Sequence, residues 1–204
     1  VFLYHTADVS NCGHYVQNCV FIGSGTANTA PCVNTSNVGG ITVRNCFMHG
    51  HGRGVSIGAA LAAGQTVTVN NCIIEACYIG LGATALGEIV ENYNSIFDCV
   101  AARSNVGIGA NSNTYPALLD TRWFFEMVGG GKLVTPFDLS AWSQLINLAG
   151  TAPTAADMRG TTVQGAEREW GALEYDSTLD IEAGSGGGGG PVIGSRIIRG
   201  LGAL

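Results

Sequence analysis

Val43-Arg44-Asn45-Cys46-Phe47-Met48 and Val69-Asn70-Asn71-Cys72-Ile73-Ile74 decide the fold of this chain, because one phrase is being repeated. It stands upstream as Val16-Gln17-Asn18-Cys19-Val20-Phe21 and, more loosely, downstream as Asn92-Tyr93-Asn94-Ser95-Ile96-Phe97. The aligned asparagines are 27, 26 and 23 residues apart. A period in that range marks a solenoid whose coils stack on one another.

Within each repeat, apolar residues alternate up to the asparagine, as in Ile41, Val43 or Val67, Val69, so a strand precedes a corner and another strand follows it. Asparagine tolerates the left-handed backbone of a sharp corner, and its amide can bond to the next coil. Asn18, Asn45, Asn71 and Asn94 are therefore expected to form a structural column, with coils about 4.8 Å apart. Gly52, Gly54, Gly58, Gly80, Gly82, Gly107 and Gly109 are expected at the remaining corners. The fold class that follows is all-β, a right-handed parallel β-helix.

Composition agrees. In 204 residues there are 31 glycines, with 46% hydrophobic and only 12% charged residues, which describes one sizeable Gly-rich β domain. A net charge of −6 and nine scattered basic residues argue against a nucleic-acid surface. No apolar run reaches the ~18 residues of a membrane helix, so no membrane span is expected. Val1-Phe2-Leu3-Tyr4 reads as entry in mid-strand, and further coils or a partner are expected to cover that edge.

Five of the seven cysteines divide by register. Cys19, Cys46 and Cys72 share one repeat position and read as a packed column of thiols. Cys77 and Cys99 follow their corner asparagines by six and five residues, which places them on adjacent coils with some lateral offset as a disulfide candidate. No Cys-x-x-Cys pair suggests zinc.

One constellation arises from stacking alone. Four residues past the corner asparagines stand Ile22, His49, Glu75 and Asp98. His49, Glu75 and Asp98 would form a column in which two carboxylates act on a glycosidic bond as acid and nucleophile or base. A hard cation such as calcium is the alternative occupant; otherwise no cofactor is expected. His51 and Arg53, alternating with His49 along one strand, would extend the face as ligand-binding residues for a sugar acid. The plain reading of the same column is a strand face that is polar because water touches it.

After about residue 112 the repeat fades, and the aromatic run Tyr115 to Val128 reads as a cap closing the bottom of the solenoid. Beyond it, Ser143-Gln144-Leu145-Ile146-Asn147-Leu148-Ala149-Gly150, Asp157-Met158-Arg159-Gly160 and Arg168-Glu169-Trp170-Gly171-Ala172-Leu173-Glu174-Tyr175 occur in order. These phrases resemble the terminal segment of secreted and surface right-handed parallel β-helix proteins, a group that includes bacterial surface, adhesin-like and virion proteins. The wider fold includes pectate lyases, polygalacturonases and phage tailspikes. The resemblance covers residues 16 to 176, roughly, and implies an extracellular, cell-surface or virion setting. The pectate-lyase pattern of calcium-binding aspartates and the polygalacturonase Asp-Asp motif are not evident in this sequence, and Asp157, Arg159, Arg168 and Glu174 read as structural contacts of the closing segment.

A glycine-rich linker then precedes Pro191 to Leu204, a stretch with two arginines, no acid, and Val192, Ile193, Ile197 and Ile198 in close order. Val192, Ile193, Arg196, Ile197, Ile198 and Arg199 are expected to dock as an extended strand on a homo-oligomer partner or a larger assembly. The organisation is thus 1–114 coils, 115–182 irregular closing coils and cap, 183–190 linker and 191–204 docking tail. The expected role is structural or adhesive, with a polysaccharide-degrading enzyme or a non-catalytic glycan-binding module as alternatives.

Overall fold

The structure, a computed structural model, describes residues 2–4, 13–27, 29–117, 126–128, 132–134, 143–145 and 171. Among these the chain forms a parallel β-solenoid, and no helix is present. Strand β1 (Phe2–Tyr4) comes first; β2 (Tyr15–Gln17), β3 (Val20–Ile22) and β4 (Pro31–Ser36) make one coil. Next come β5 (Ile41–Arg44), β6 (Phe47–His49) and β7 (Arg53–Ala59), then β8 (Val67–Asn70), β9 (Ile73–Glu75) and β10 (Ile79–Gly82). The fourth coil is β11 (Ile89–Asn92), β12 (Ser95–Phe97) and β13 (Ala101–Ser104). Each coil therefore has a third strand beyond the two that flank the asparagine. Like strands stack into three parallel sheets, β2-β5-β8-β11, β3-β6-β9-β12 and β1-β4-β7-β10-β13. A separate antiparallel pair joins β14 (Glu126–Val128) to β15 (Lys132–Val134).

The corner between the first two sheets is left-handed in every coil, at Asn18 (φ 54°), Asn45 (φ 50°), Asn71 (φ 55°) and Tyr93 (φ 54°). The fourth member of the expected asparagine column is thus corrected: Tyr93 takes the corner and Asn94 does not. Pairing of Ser95 with Ile73 and of Ile73 with Phe47 puts Asn94 in register with Cys72, Cys46 and Cys19. Its buried amide is used there, donating to Val69 O and Glu91 Oε2 (each 2.8 Å) and accepting from Cys72 N–H (2.8 Å). A second left-handed corner, at Gly50 (φ 67°), Ala76 (φ 50°) and Asp98 (φ 51°), separates the second sheet from the third.

The interior is built of side chains stacked coil upon coil. Val16, Val43 and Val69 line the first sheet, Met48, Ile74 and Ile96 the second, and Val33, Val55 and Leu81 the third, all in one core cluster. Fully burying one such side chain contributes roughly 1.5–3 kcal/mol, and stacking is what makes that burial available to coils this short. Gly54 and Gly80, expected at corners, lie instead inside β7 and β10. A Cβ on Gly54 would stand 2.8 Å from Ile74 Cγ2, and one on Gly80 would stand 2.6 Å from Ile96 Cγ2. These glycines let the second and third sheets close on each other.

The last coil changes the chemistry of the core. Glu91 pairs with Val69, so it occupies the end of the valine column, and Arg103 pairs with Leu81 at the end of the opposite column. The Arg103 guanidinium donates twice to Glu91 Oε1, at 2.9 and 2.7 Å. The same oxygen accepts from Gly109 N–H at 2.7 Å, while Oε2 accepts from Asn94 and from the Ser112 hydroxyl. Burial alone would raise the Glu91 pKa, but these donors outweigh it and hold the carboxyl below its usual range. Among the described strands this fully bonded pair ends the two apolar columns. Most of the aromatic run expected to cap them lies outside the described residues, and the described closure at this end is polar.

A second apolar layer lies on the outside of the second sheet. Phe47 and Ile73 point away from the core cluster, yet each is only 2% exposed. Gly171 N–H donates to Asn71 O at 2.8 Å, and a Cβ on Gly171 would come within 2.9 Å of Ile73 Cδ1. Ala117 and Leu145 are likewise buried. Residues from beyond the repeat therefore return over this face.

Candidate functional site

The outer column of the second sheet is where the sequence places its candidate chemistry. Ile22 pairs with His49, His49 with Glu75, and Glu75 with Phe97. His49 and Glu75 are neighbours, with Nδ1 3.9 Å from Oε2. Asp98 is not in the column: it is the next residue, in the left-handed corner, and Phe97 stands where a second carboxylate was expected. The physical reason is the one-residue shift of the fourth corner from Asn94 to Tyr93, which moves every later residue of that coil by one place.

Glu75 is further committed by its surroundings. Its Oε1 accepts the N–H of Ala117 at 2.7 Å, tying the returning chain to the sheet face. His49 stacks on Phe47, with ring centroids 6.2 Å apart and the planes 6° from parallel. The pair thus has one carboxylate, one imidazole and two aromatic neighbours.

His51 and Arg53 do not extend this face. Gly50 breaks the strand, so His51 belongs to the following corner and Arg53 opens β7 in another sheet. The ring nitrogens of His51 are buried without a well-formed hydrogen bond. Burial lowers its pKa, against the opposing pull of the Ala30 carbonyl. Arg53 is exposed and donates from Nη1 to Ser56 Oγ at 3.0 Å. Among the described residues no group of three or more His, Cys, Asp or Glu side chains is arranged to hold a metal ion.

Every cysteine of the two thiol columns follows a left-handed residue: Cys19 after Asn18, Cys46 after Asn45, Cys72 after Asn71, Cys77 after Ala76 and Cys99 after Asp98. Each thiol turns back to the carbonyl two residues earlier, as Cys46 does to Arg44 O at 3.3 Å and Cys72 to Asn70 O at 3.3 Å. The Asn-Cys phrase is therefore a corner and its inward anchor. Cys77 and Cys99 stand directly in register, without the expected lateral offset, because Ile79 pairs with Ala101 two residues on. Both are free thiols, as are Cys19, Cys46 and Cys72. Burial pushes the Cys32 thiol up to about 12.

Sequence reasoning missed the carboxylates that the fold uses most. Besides Glu91, the buried Glu88 accepts Leu61 N–H (2.8 Å), Thr84 N–H (2.9 Å), Thr84 Oγ1–H (2.6 Å) and Ala85 N–H (2.7 Å). It thereby fixes its own loop to that of the coil before. Desolvation opposes its charge, and these donors prevail to lower its pKa. The signal for Glu91 was its place two after Ile89, where the coil before has Val69 two after Val67.

The outer face of the first sheet carries a second polar array. Gln17, Arg44, Asn70 and Asn92 are in register across four strands, with Thr42 and Thr68 beside them. Arg44 donates to Gln17 Oε1 at 2.9 and 2.7 Å, and its guanidinium carbon lies 4.5 Å from the Tyr15 ring centroid. The tail residues Val192, Ile193, Arg196, Ile197, Ile198 and Arg199 lie outside the described residues. No protein-family model, curated protein or solved structure matches this chain.

Proposed function

We propose that this protein is a structural or adhesive β-solenoid of an extracellular or virion surface, held in its assembly by residues 191–204. The observation that carries the reading is how the carboxylates are employed. Glu91 and Glu88 are saturated with internal donors, and Glu75 is bonded to the backbone of the returning chain with Phe97 in place of a second acid. General acid–base cleavage of a glycosidic bond calls for two carboxyl groups facing one another across it. A rigid scaffold needs what is present instead: coils locked by register and loops tied by buried acids.

The test is a polysaccharide panel incubated with wild type and with Glu75→Gln. No shortening of any chain is the expected result. Cleavage by wild type that the variant loses would overturn the reading in favour of an enzyme.

Glycan binding without cleavage is the second reading, favoured by the in-register amides, hydroxyls and guanidinium of the first sheet. Such a surface offers donors and acceptors at a regular spacing of about 4.8 Å. Retention on the panel that Arg44→Ala abolishes would support it. Anchoring is tested separately: removing residues 184–204 should abolish incorporation into the native assembly, and unchanged incorporation would remove that part of the proposal.

A further inference from the structure

We infer that Cys77 and Cys99 form an oxidisable pair, a half-buried thiol backed by a fully buried one, which a low-molecular-weight disulfide converts into a staple between the third and fourth coils. The inference goes beyond the structural reading above and does not depend on it. Register supports it first. Val100 N–H donates to Cys77 O at 3.1 Å and Ala101 N–H to Tyr78 O at 2.9 Å, which sets Cys99 directly over Cys77. Both cysteines follow left-handed residues, Ala76 at φ 50° and Asp98 at φ 51°, so both side chains leave the corner in the same sense.

The two thiols are near enough to perturb each other, Cys77 pushing the Cys99 thiol up. In-register Cα atoms on adjacent coils lie about 4.8 Å apart, inside the ~4.4–6.8 Å range of disulfides. Their Cβ atoms must close to about 3.5–4.5 Å, a small inward movement at a corner. The hydrogen bonds of these thiols are weak ones to carbonyls, Cys77 to Glu75 O at 3.4 Å and Cys99 to Phe97 O at 3.5 Å and Ile74 O at 3.9 Å, so little is lost on oxidation.

The Cys19, Cys46 and Cys72 column differs in two ways. Cys46 has a thiol on either side, so no two members are set apart as a pair, and both Cys46 and Cys72 are fully buried. In the second column His51 takes the place next to Cys77, and the pair is closed.

The chemistry balances without further reactants. Cys99, the reachable thiol, gives its proton to solvent; its sulfur attacks one sulfur of oxidised glutathione, whose S–S bond breaks to release one glutathione thiolate. Cys77 then loses its proton, and its sulfur attacks the Cys99 sulfur of the mixed disulfide, expelling the second glutathione thiolate. Two protein thiols are oxidised and one disulfide is reduced to two thiols. The neighbouring Cys77 thiol, and then burial, hold the Cys99 thiol well above its usual range, so the attacking thiolate is scarce and the first step is slow.

The purified chain, incubated with oxidised glutathione at about pH 8, is then alkylated, digested and mapped by mass spectrometry. A peptide cross-linked through Cys77 and Cys99 is expected, together with a melting midpoint higher by ~5 °C or more that dithiothreitol reverses. In Cys77→Ser the glutathione should remain on Cys99. Three results from wild type alone overturn the proposal: Cys99 unmodified, glutathione persisting on Cys99, or a bridge joining other cysteines such as Cys19 and Cys46. A Cys77–Cys99 bridge that leaves melting unchanged overturns the stapling role.

Discussion

Val69 and Glu91 are register neighbours one coil apart, and the third and fourth coils differ most at that place. One coil further in, at Val43, the column runs on in both directions to Val16 and Val69, so an apolar side chain meets apolar side chains and any charge would be stranded. Around Glu91 the column stops. Arg103, Gly109 N–H, Ser112 and Asn94 supply its carboxylate with five hydrogen bonds. The same backbone position accepts opposite chemistries because a buried carboxylate is tolerable only where its partners are already assembled. Among the described residues, the stacked columns thus end by a change of the residue in the column.

Moving the acid is the most damaging way to test that contrast. Val43→Glu places a carboxylate in mid-column without donors, and a loss of stability beyond ~4 kcal/mol is expected, enough to abolish the cooperative urea transition. A transition near the wild-type midpoint would show that the column is not closed to charge.

Breaking the pair from one side comes next. Glu91→Ala leaves Arg103 buried without its counter-charge, at an expected cost of about 3–5 kcal/mol. The double variant Glu91→Val, Arg103→Leu should recover a large part of that loss in the same urea titration. If it is no better than the single change, the pair is not what the last coil depends on.

Acid sharpens the comparison more gently. Glu91 and Glu88 both have folded pKa values below the usual carboxylate range, despite burial that acts the other way. A carboxyl with a depressed folded value adds stability above its unfolded pKa of about 4.3, and that addition is lost as pH falls through the folded value. Thermal melting should therefore decline from about pH 5 downward, and Glu91→Gln should flatten that decline. An identical acid slope in the variant would count against the assignment.

The smallest effect concerns the corners. Tyr93 holds a left-handed conformation that asparagine holds in the three coils before it. Tyr93→Gly should raise stability by roughly 1 kcal/mol through relief of that strain. Asn71→Gly should change it less, and equal responses would mean that the two corners are equivalent.

Much of this architecture was legible because the Asn-Cys phrase reports a local need. A left-handed corner selects asparagine, and the residue after it must turn inward and be small, which cysteine satisfies. The fourth coil defeated the same logic for a physical reason. Asn94 looks like the corner residue by type, but its amide is wanted one place further in, where it bonds Cys72, Val69 and Glu91. That single step removed Asp98 from the column of His49 and Glu75, and it brought Cys99 directly over Cys77. Gly50 had a comparable effect, because one left-handed glycine sends His51 and Arg53 away from His49.

The sequence by itself determined that this chain is a parallel β-solenoid, since period and alternation are local properties that stacking repeats without alteration. Only the tertiary structure decided which side chains meet. Contacts between coils depend on register summed over every preceding corner, so an error of one residue exchanges an acid for a phenylalanine. The closure of the core was hidden for the same reason: Glu91, Arg103, Asn94 and Ser112 share no spacing in the chain, and only the last turn of the coil brings them to one point.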